Sequence, residues 1–384
     1  MSGFEFATTR RIVCEDGAAR RLPQYAAALG ITHAFIVTDR GLRESGVLDD
    51  VLAAFVGSDV DATVFDGVLA DPPESSILDA VAMARHAAVD GVIGVGGGSS
   101  LDTAKLVALL LGSPQTLSSM YGIGRVHGPR LPLVQVPTTA GTGSEVTPIA
   151  IVTTPSGEKK GVVSEVLYAD LALLDATLTV ALPARLTAMT GIDAMVHAIE
   201  AYTSKHKKNV VSDSLAVRAL QLLSNNLRPV LANGHNLEGR RAMLQGSMLA
   251  GMAFANAPVA AVHALAYPLG GHFHVPHGLS NALVLLPVLE FNLADADALY
   301  AELSAAVLRD NVAVVPIASG RAFVDAMDTL VVDAGLERTL RAVGVDESHL
   351  PLLATDALKV QRLLVNNPRP VTYDDALAIY RSVL

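Results

Sequence analysis

A chain of 384 residues exceeds one ordinary hydrophobic core and suits two domains. With 51% hydrophobic residues, 17% charged residues and 31 glycines, it excludes a disordered protein. A formal net charge of −10 argues against a nucleic-acid binder, because a phosphate backbone needs a cationic surface.

The N-terminal stretch MSGFEFATTRR lacks the apolar core of a secretory leader, and the single cysteine, Cys14, excludes an intramolecular disulfide. Both point to a reducing, cytoplasmic setting. Short apolar runs bounded by Gly, Pro or Asp then predict strands at 34–39, 62–67, 91–96, 131–137 and 148–154. Helix-period segments at 75–88 and 100–112 lie between several of them. That rhythm predicts a largely parallel, Rossmann-like sheet covered on both faces.

From about Leu182 the pattern changes, and Pro183 suits a first helical turn. Helical spacing runs through 190–204, 209–232, 238–256, 294–308, 318–335 and 373–383. The expected division is an α/β domain over 1–181 and an all-helical domain over 182–384, with the crevice between them as the default ligand site. MLAGMAFANAPVAAVHALAY, 248–267, has the length of a membrane span, but Asn256, Pro258 and His263 interrupt it. It is read as a buried helical segment, and no membrane association is expected.

GVIGVGGGSSLDTAK, 91–105, runs a buried strand into glycines and then into a helix. Glycine lets the backbone approach an anion, and the helix start offers free N–H groups and a partial positive charge. Gly96, Gly97, Gly98 and Ser99 thus fit a pyrophosphate cradle, although Ser99 takes the third glycine's place in the usual dinucleotide pattern. Asp39, ending the strand AFIVT, either bonds a ribose hydroxyl or opens the turn TDRG. PTTAGTGSEVT, 137–147, gathers Thr138, Thr139, Thr142 and Ser144 in a loop after a strand. These hydroxyls either bond a nucleotide or satisfy the loop's own backbone. Three such features at successive strand ends point to a dinucleotide.

In GIDAMVHAIE, 191–200, Asp193 and His197 are spaced to share one helix face. Two readings stand: a metal pair, or a capping box with Thr190 as N-cap and Asp193 three residues on. AVHALAYPLGGHFHVPHGLSN, 261–281, adds His263, His272, His274 and His277, four of the chain's 11 histidines. His277 opens a helix, LSNALVLLPVLEF, and converges on His263 if the intervening PLGG folds back as a turn. Three imidazoles and one carboxylate form a first shell for Fe²⁺ or Zn²⁺. His272 and His274 alternate as on an extended segment, which favours substrate-facing roles over ligation.

On these residues the chain resembles the iron-containing (group III) alcohol dehydrogenases, whose superfamily includes glycerol dehydrogenases, maleylacetate reductases and dehydroquinate synthases. The likeness runs from GGGS at 96–99 through PTTAGTGSEVT and GIDAMVHAIEAY to HALAYPLGGHFHVPHG and NNPRPVT at 366–372. It implies a nucleotide-binding α/β domain followed by a helical domain, the dehydroquinate synthase-like architecture. It places metal ligands on Asp193, His197, His263 and His277, pyrophosphate contacts on Gly96 to Ser99, and nicotinamide-side hydroxyls on Thr138, Thr139 and Thr142. Asp39 falls where NAD-preferring members carry an aspartate, and Phe254 where an aromatic often lines the substrate channel. Tyr267 stands where many members carry a second histidine; Pro258 and Ala260 also depart from the common NAGLGAVH.

The implied activity is NAD-dependent hydride transfer between a small alcohol and its aldehyde or ketone, with Fe²⁺ or Zn²⁺ as Lewis acid and Tyr267, or His274 through water, as proton relay. Relatives are often homodimers or larger. A maleylacetate reductase-like enzyme for oxo-acids is the alternative, although no arginine lies inside the metal motifs. A dehydroquinate synthase-like lyase is more distant, because no basic cluster marks a phosphorylated substrate.

Overall fold

A computed structural model describes residues 3–308 and 319–384. Met1 and Ser2, which open the stretch read as leaderless, and Ala318, first residue of one expected helix, lie outside them. By contacts, Ala7–Leu182 forms one compact unit, and the other is built on Pro183–Leu384.

The strands of the first unit are β1 (Ile12–Cys14), β2 (His33–Val37), β3 (Asp61–Phe65), β4 (Gly91–Gly96), β5 (Gly122–Ile123), β6 (Leu133–Pro137), β7 (Ile149–Thr153), β8 (Lys159–Val163) and β9 (Leu171–Leu174). Its α-helices are α1 (Leu22–Ala28), α2 (Arg40–Glu44), α3 (Asp49–Ala53), α4 (Glu74–His86) and α5 (Gly98–Gly112). Six strands form one sheet in the order β1-β9-β6-β4-β2-β3, every neighbouring pair parallel. Successive side chains of a strand point to opposite faces. Phe35, Val37 and Val92 therefore join a core with Ile77 and Val107, on α4 and α5, while Ile36, Ile93 and Val95 join another with Leu22, Val51 and Phe55. Burial on both faces explains why these strands read as continuous apolar runs. The chain leaves β2 toward β3 at one edge, and from β4 it winds the other way through β6 to β9. The winding reverses between β2 and β4, where sheets of this type bind ligands beyond the strand ends.

One strand departs from the expected alternation. β7 lies outside the parallel sheet and pairs antiparallel with β8, from Ile149 opposite Val163 to Thr153 opposite Lys159. The connection TPSGE is too short for a parallel crossover, and Gly157 at φ 81 takes its left-handed position.

The second unit holds α6 (Ala184–Thr203), α7 (Val210–Ala232), α8 (Leu237–Asn256), α9 (Ala261–Phe273), α10 (His277–Leu308), α11 (Gly320–Asp333), α12 (Leu350–Lys359), α13 (Gln361–Leu364) and α14 (Tyr373–Ser382). α6 begins behind Pro183, earlier than expected, so Thr190 lies mid-helix and its hydroxyl donates to the Leu186 carbonyl at 2.9 Å. The capping box is therefore absent. α9 continues through Pro268 and both glycines of PLGG; the reversal falls at His274, in the left-handed region at φ 54. His272 and His274 accordingly sit at a helix end and not on an extended segment. The segments expected at 279–291 and 294–308 are one helix of 32 residues that tolerates Pro287, packed against α6, α9 and α11. Among the described residues no single helix is long and apolar enough to cross a membrane; the stretch 248–267 breaks between α8 and α9, which are bent by 104°.

Candidate metal centre and dinucleotide cradle

α6 presents Asp193 and His197 one turn apart, 2% and 5% exposed. α9 brings His263, 3% exposed, and α10 opens with His277, which keeps part of its ring in solvent. One donor atom from each of the four lies within 4.8 Å of the others. Asp193 Oδ1 is 3.5 Å from His277 Nε2 and 3.8 Å from His263 Nε2. The His197 and His263 rings stack at 4.7 Å. Burial pushes the Asp193 carboxyl up, but the three imidazoles and Asn281 outweigh it and hold the group below the usual carboxylate range. α10 reaches this point because Gly278 has no side chain: a Cβ there would lie 2.4 Å from the Met189 carbonyl oxygen on α6.

Two residues missed in the sequence complete the cluster. Glu200, 3% exposed on α6, accepts from the Val262 backbone N–H at 2.7 Å and sits 2.6 Å from His263 Nδ1. An ionised carboxylate only accepts, so Nδ1 carries the proton and the Nε2 lone pair faces the other ligands. Asn281, one turn after His277, donates to Asp193 Oδ1 at 2.6 Å. The signals were Glu200 continuing the Asp193–His197 face and Asn281 at i+4 from His277, both on otherwise apolar helix stretches. Phe254 stacks on His197 at 4.3 Å, and the Tyr267 ring lies 6.2 Å from that of His277. His272 turns to Asp356 on α12 at 2.6 Å, and His274 is exposed at the end of α9; neither joins the four.

In the first unit, Asp39, the glycine turn and the threonine loop follow β2, β4 and β6, which are adjacent and parallel. A Cβ on Gly98 would meet Thr142 at 2.7 Å, and one on Gly97 would meet Thr139 at 3.5 Å, so the two loops pack closely. Thr138 N–H donates to the Gly96 carbonyl at 3.0 Å. Asp39 caps α2 by accepting from Leu42 N–H at 2.9 Å, while its Oδ2 points toward Gly96. Ser99 lies half-buried in the first turn of α5.

Ser144 faces inward. It accepts from the buried Lys105 ammonium at 2.8 Å and donates to Asp102 at 2.6 Å. Lys105 also donates to Thr147 Oγ1 at 3.2 Å and the Ile149 carbonyl at 2.7 Å, tying the threonine loop to α5. A lysine within the apolar run LDTAKLVALLLG was the available signal. Burial pushes the neighbouring Glu145 carboxyl from its ordinary 4.5 up to about 7, against its backbone hydrogen bond and Lys105. A carboxyl raised on folding stabilises the fold while protonated, and that contribution disappears as it ionises. Stability is expected to fall as pH rises from about 4.5 to about 7, and Glu145→Gln to flatten the slope. Denaturant titrations at pH 5 and pH 8 measure this; an unchanged slope in the variant would refute the assignment.

Three imidazoles and a carboxylate converging on one point, in a chain whose parallel sheet ends in glycine and threonine loops, define a metal-dependent dehydrogenase of the dinucleotide type. The comparisons agree. The family model "Iron-containing alcohol dehydrogenase" matches residues 9–176, and "Fe-containing alcohol dehydrogenase family, C-terminal" matches 187–384. Long-chain-alcohol dehydrogenase 1 of Geobacillus thermodenitrificans is 40% identical over 95% of this chain and 93% of its own. Sulfoacetaldehyde reductase of Bilophila wadsworthia is 37% identical over 98% of both chains. A crystal structure of 1,3-propanediol oxidoreductase superposes with a TM-score of 0.95 at 33% identity, covering 100% of both chains. The chain belongs to the iron-containing alcohol dehydrogenase family and is an oxidoreductase of the alcohol/carbonyl class.

Proposed function

We propose that this chain interconverts a small alcohol and its aldehyde or ketone, with NAD(H) as hydride partner and Fe²⁺ as the metal, Zn²⁺ being the alternative. The observation that carries the reading is the convergence of one carboxylate and three imidazole donors within 4.8 Å, a donor set suited to either ion. In this reading Asp193, His197, His263 and His277 hold the metal, which when bound supplies Lewis acidity at the substrate oxygen.

NAD supplies the hydride acceptor when bound, and the chain's part is to orient it. Gly96, Gly97, Gly98 and Ser99 receive the pyrophosphate at the start of α5, where unpaired N–H groups favour an anion. Asp39 offers Oδ2 to the ribose, its other oxygen being taken by Leu42. Thr138, Thr139 and Thr142 take the nicotinamide side. Ser144 acts by holding the loop, since Lys105 and Asp102 already occupy its hydroxyl. Phe254 shields one side of His197 from water. Tyr267 is the proton relay nearest the ligands, with His274 as the alternative and His272, bonded to Asp356, at the substrate margin. The reading includes a homodimer or larger homo-oligomer, as the resemblance implies, in the cytoplasmic setting that the lone Cys14 suggests.

The test is anaerobic NAD⁺ reduction with a panel of short alcohols and diols, using chelated protein reconstituted with Fe²⁺ or Zn²⁺. Metal should restore turnover to the wild type and not to His277→Ala. Turnover that survives chelation would overturn the metal assignment.

A further inference from the structure

We infer that Arg362 builds a subsite for an anionic group, so that the preferred substrate is an alcohol or aldehyde carrying a carboxylate or sulfonate. The inference rests on the proposed alcohol/carbonyl chemistry and names its substrate class. Arg362 lies on the short helix α13, far in sequence from the metal motifs. Its guanidinium carbon stands 5.9 Å from the centre of the Tyr267 ring, and Nη2 is 3.5 Å from the Tyr267 hydroxyl. The same ring lies 6.2 Å from that of His277. A cation is thus held one aromatic side chain away from the metal ligands, in a chain whose net charge is −10.

Its surroundings leave the charge available. Among the described residues, Arg362 makes no ion pair, whereas the other charged groups nearby are matched: Asp356 binds both His272 and Lys359 at 2.6 Å. The residue is exposed, so its charge remains hydrated and open to a ligand. Its backbone is anchored, because Asn366 donates from one amide nitrogen to the Arg362 carbonyl and to the Val259 carbonyl ahead of α9, each at 3.1 Å. A planar, permanently charged donor fork on a fixed backbone is suited to a carboxylate or sulfonate. The Tyr267 ring is the link between the two groups, its centre 5.9 Å from the guanidinium carbon and 6.2 Å from the centre of the His277 ring.

The experiment uses metal-reconstituted protein with NADH and compares kcat/KM for succinic semialdehyde with that for butanal. The wild type is expected to favour the anionic aldehyde, and Arg362→Met to lower the ratio about 10- to 100-fold, mainly through KM. Arg362→Lys should recover part of it, since a point charge replaces the fork. Calorimetry of 4-hydroxybutyrate binding to the NAD⁺-loaded holoenzyme provides a readout independent of turnover; Arg362→Met should abolish a signal that the wild type shows. A wild type that prefers butanal, or a ratio unchanged by Arg362→Met, overturns the inference while leaving the dehydrogenase reading intact. If neither aldehyde turns over, that reading fails separately, and calorimetry decides the subsite: binding unaffected by Arg362→Met refutes it.

Discussion

Replacing Asp193 by alanine is expected to give a folded protein that no longer retains a divalent metal and loses turnover by about 10³-fold or more, the scale on which a Lewis acid contributes. Asp193 is the single carboxylate in the candidate shell, and it lies within 3.8 Å of two of the three histidine nitrogens. Removing it leaves three imidazoles without the negative charge that favours a dication, and takes from the buried Asn281 amide its shortest hydrogen bond, at 2.6 Å. Asp193→Asn keeps the shape and removes the charge, and so separates coordination from packing. Metal content after gel filtration, read beside circular dichroism, is the measurement. Both variants should be helical and metal-poor. Stoichiometric metal in either one would mean that the four residues are not the shell.

Glu200→Gln should weaken metal affinity about 10- to 100-fold, the usual cost of losing an outer carboxylate partner of a ligating histidine. Glu200 presents two acceptors, one to Val262 N–H and one to His263 Nδ1. Glutamine has only one. If its oxygen serves the backbone, its amide faces Nδ1 and forces the proton onto Nε2, the nitrogen needed by the metal. If its oxygen serves His263, two N–H groups confront each other inside the helical unit. Glu200→Asp retains both acceptors on a shorter arm and should recover part of the affinity. Competition with a graded chelator and the visible spectrum of the Co²⁺-substituted protein would both report the change. Wild-type affinity and spectrum in Glu200→Gln would show that His263 needs no orienting carboxylate.

Much of this chain was legible because its signals are local. The glycine run, the strand periods and the Asp193–His197 spacing each concern residues within one or two turns of one another. Errors arose where a local rule met a tertiary one. Pro183 suits a helix start, but the helical period is plain only from 190, so Thr190 looked like a cap although it lies in mid-helix. Proline and two glycines in PLGG read as a turn, but packing carried α9 through them and moved the reversal to His274. The short connection after β7 turned an expected parallel strand into a hairpin. α12 escaped notice although Leu350, Leu353, Ala354 and Ala357 keep the helical period.

By itself the sequence determined the residue types that make the chemistry available: a carboxylate, the imidazoles, the glycine turn, the hydroxyl-rich loop. Periodicity determined the two kinds of architecture, because burial on both faces of a sheet and on one stripe of a helix leave different repeats. Only the tertiary structure decided which groups meet. Glu200 finds His263 across 63 residues, Asn281 finds Asp193 across 88, and Arg362 finds Tyr267 across 95. Lys105 draws Ser144 inward across 39. No period in the chain encodes such pairings, because they depend on how whole helices and strands pack, and a side chain's neighbours across that packing set its proton, its orientation and its partner.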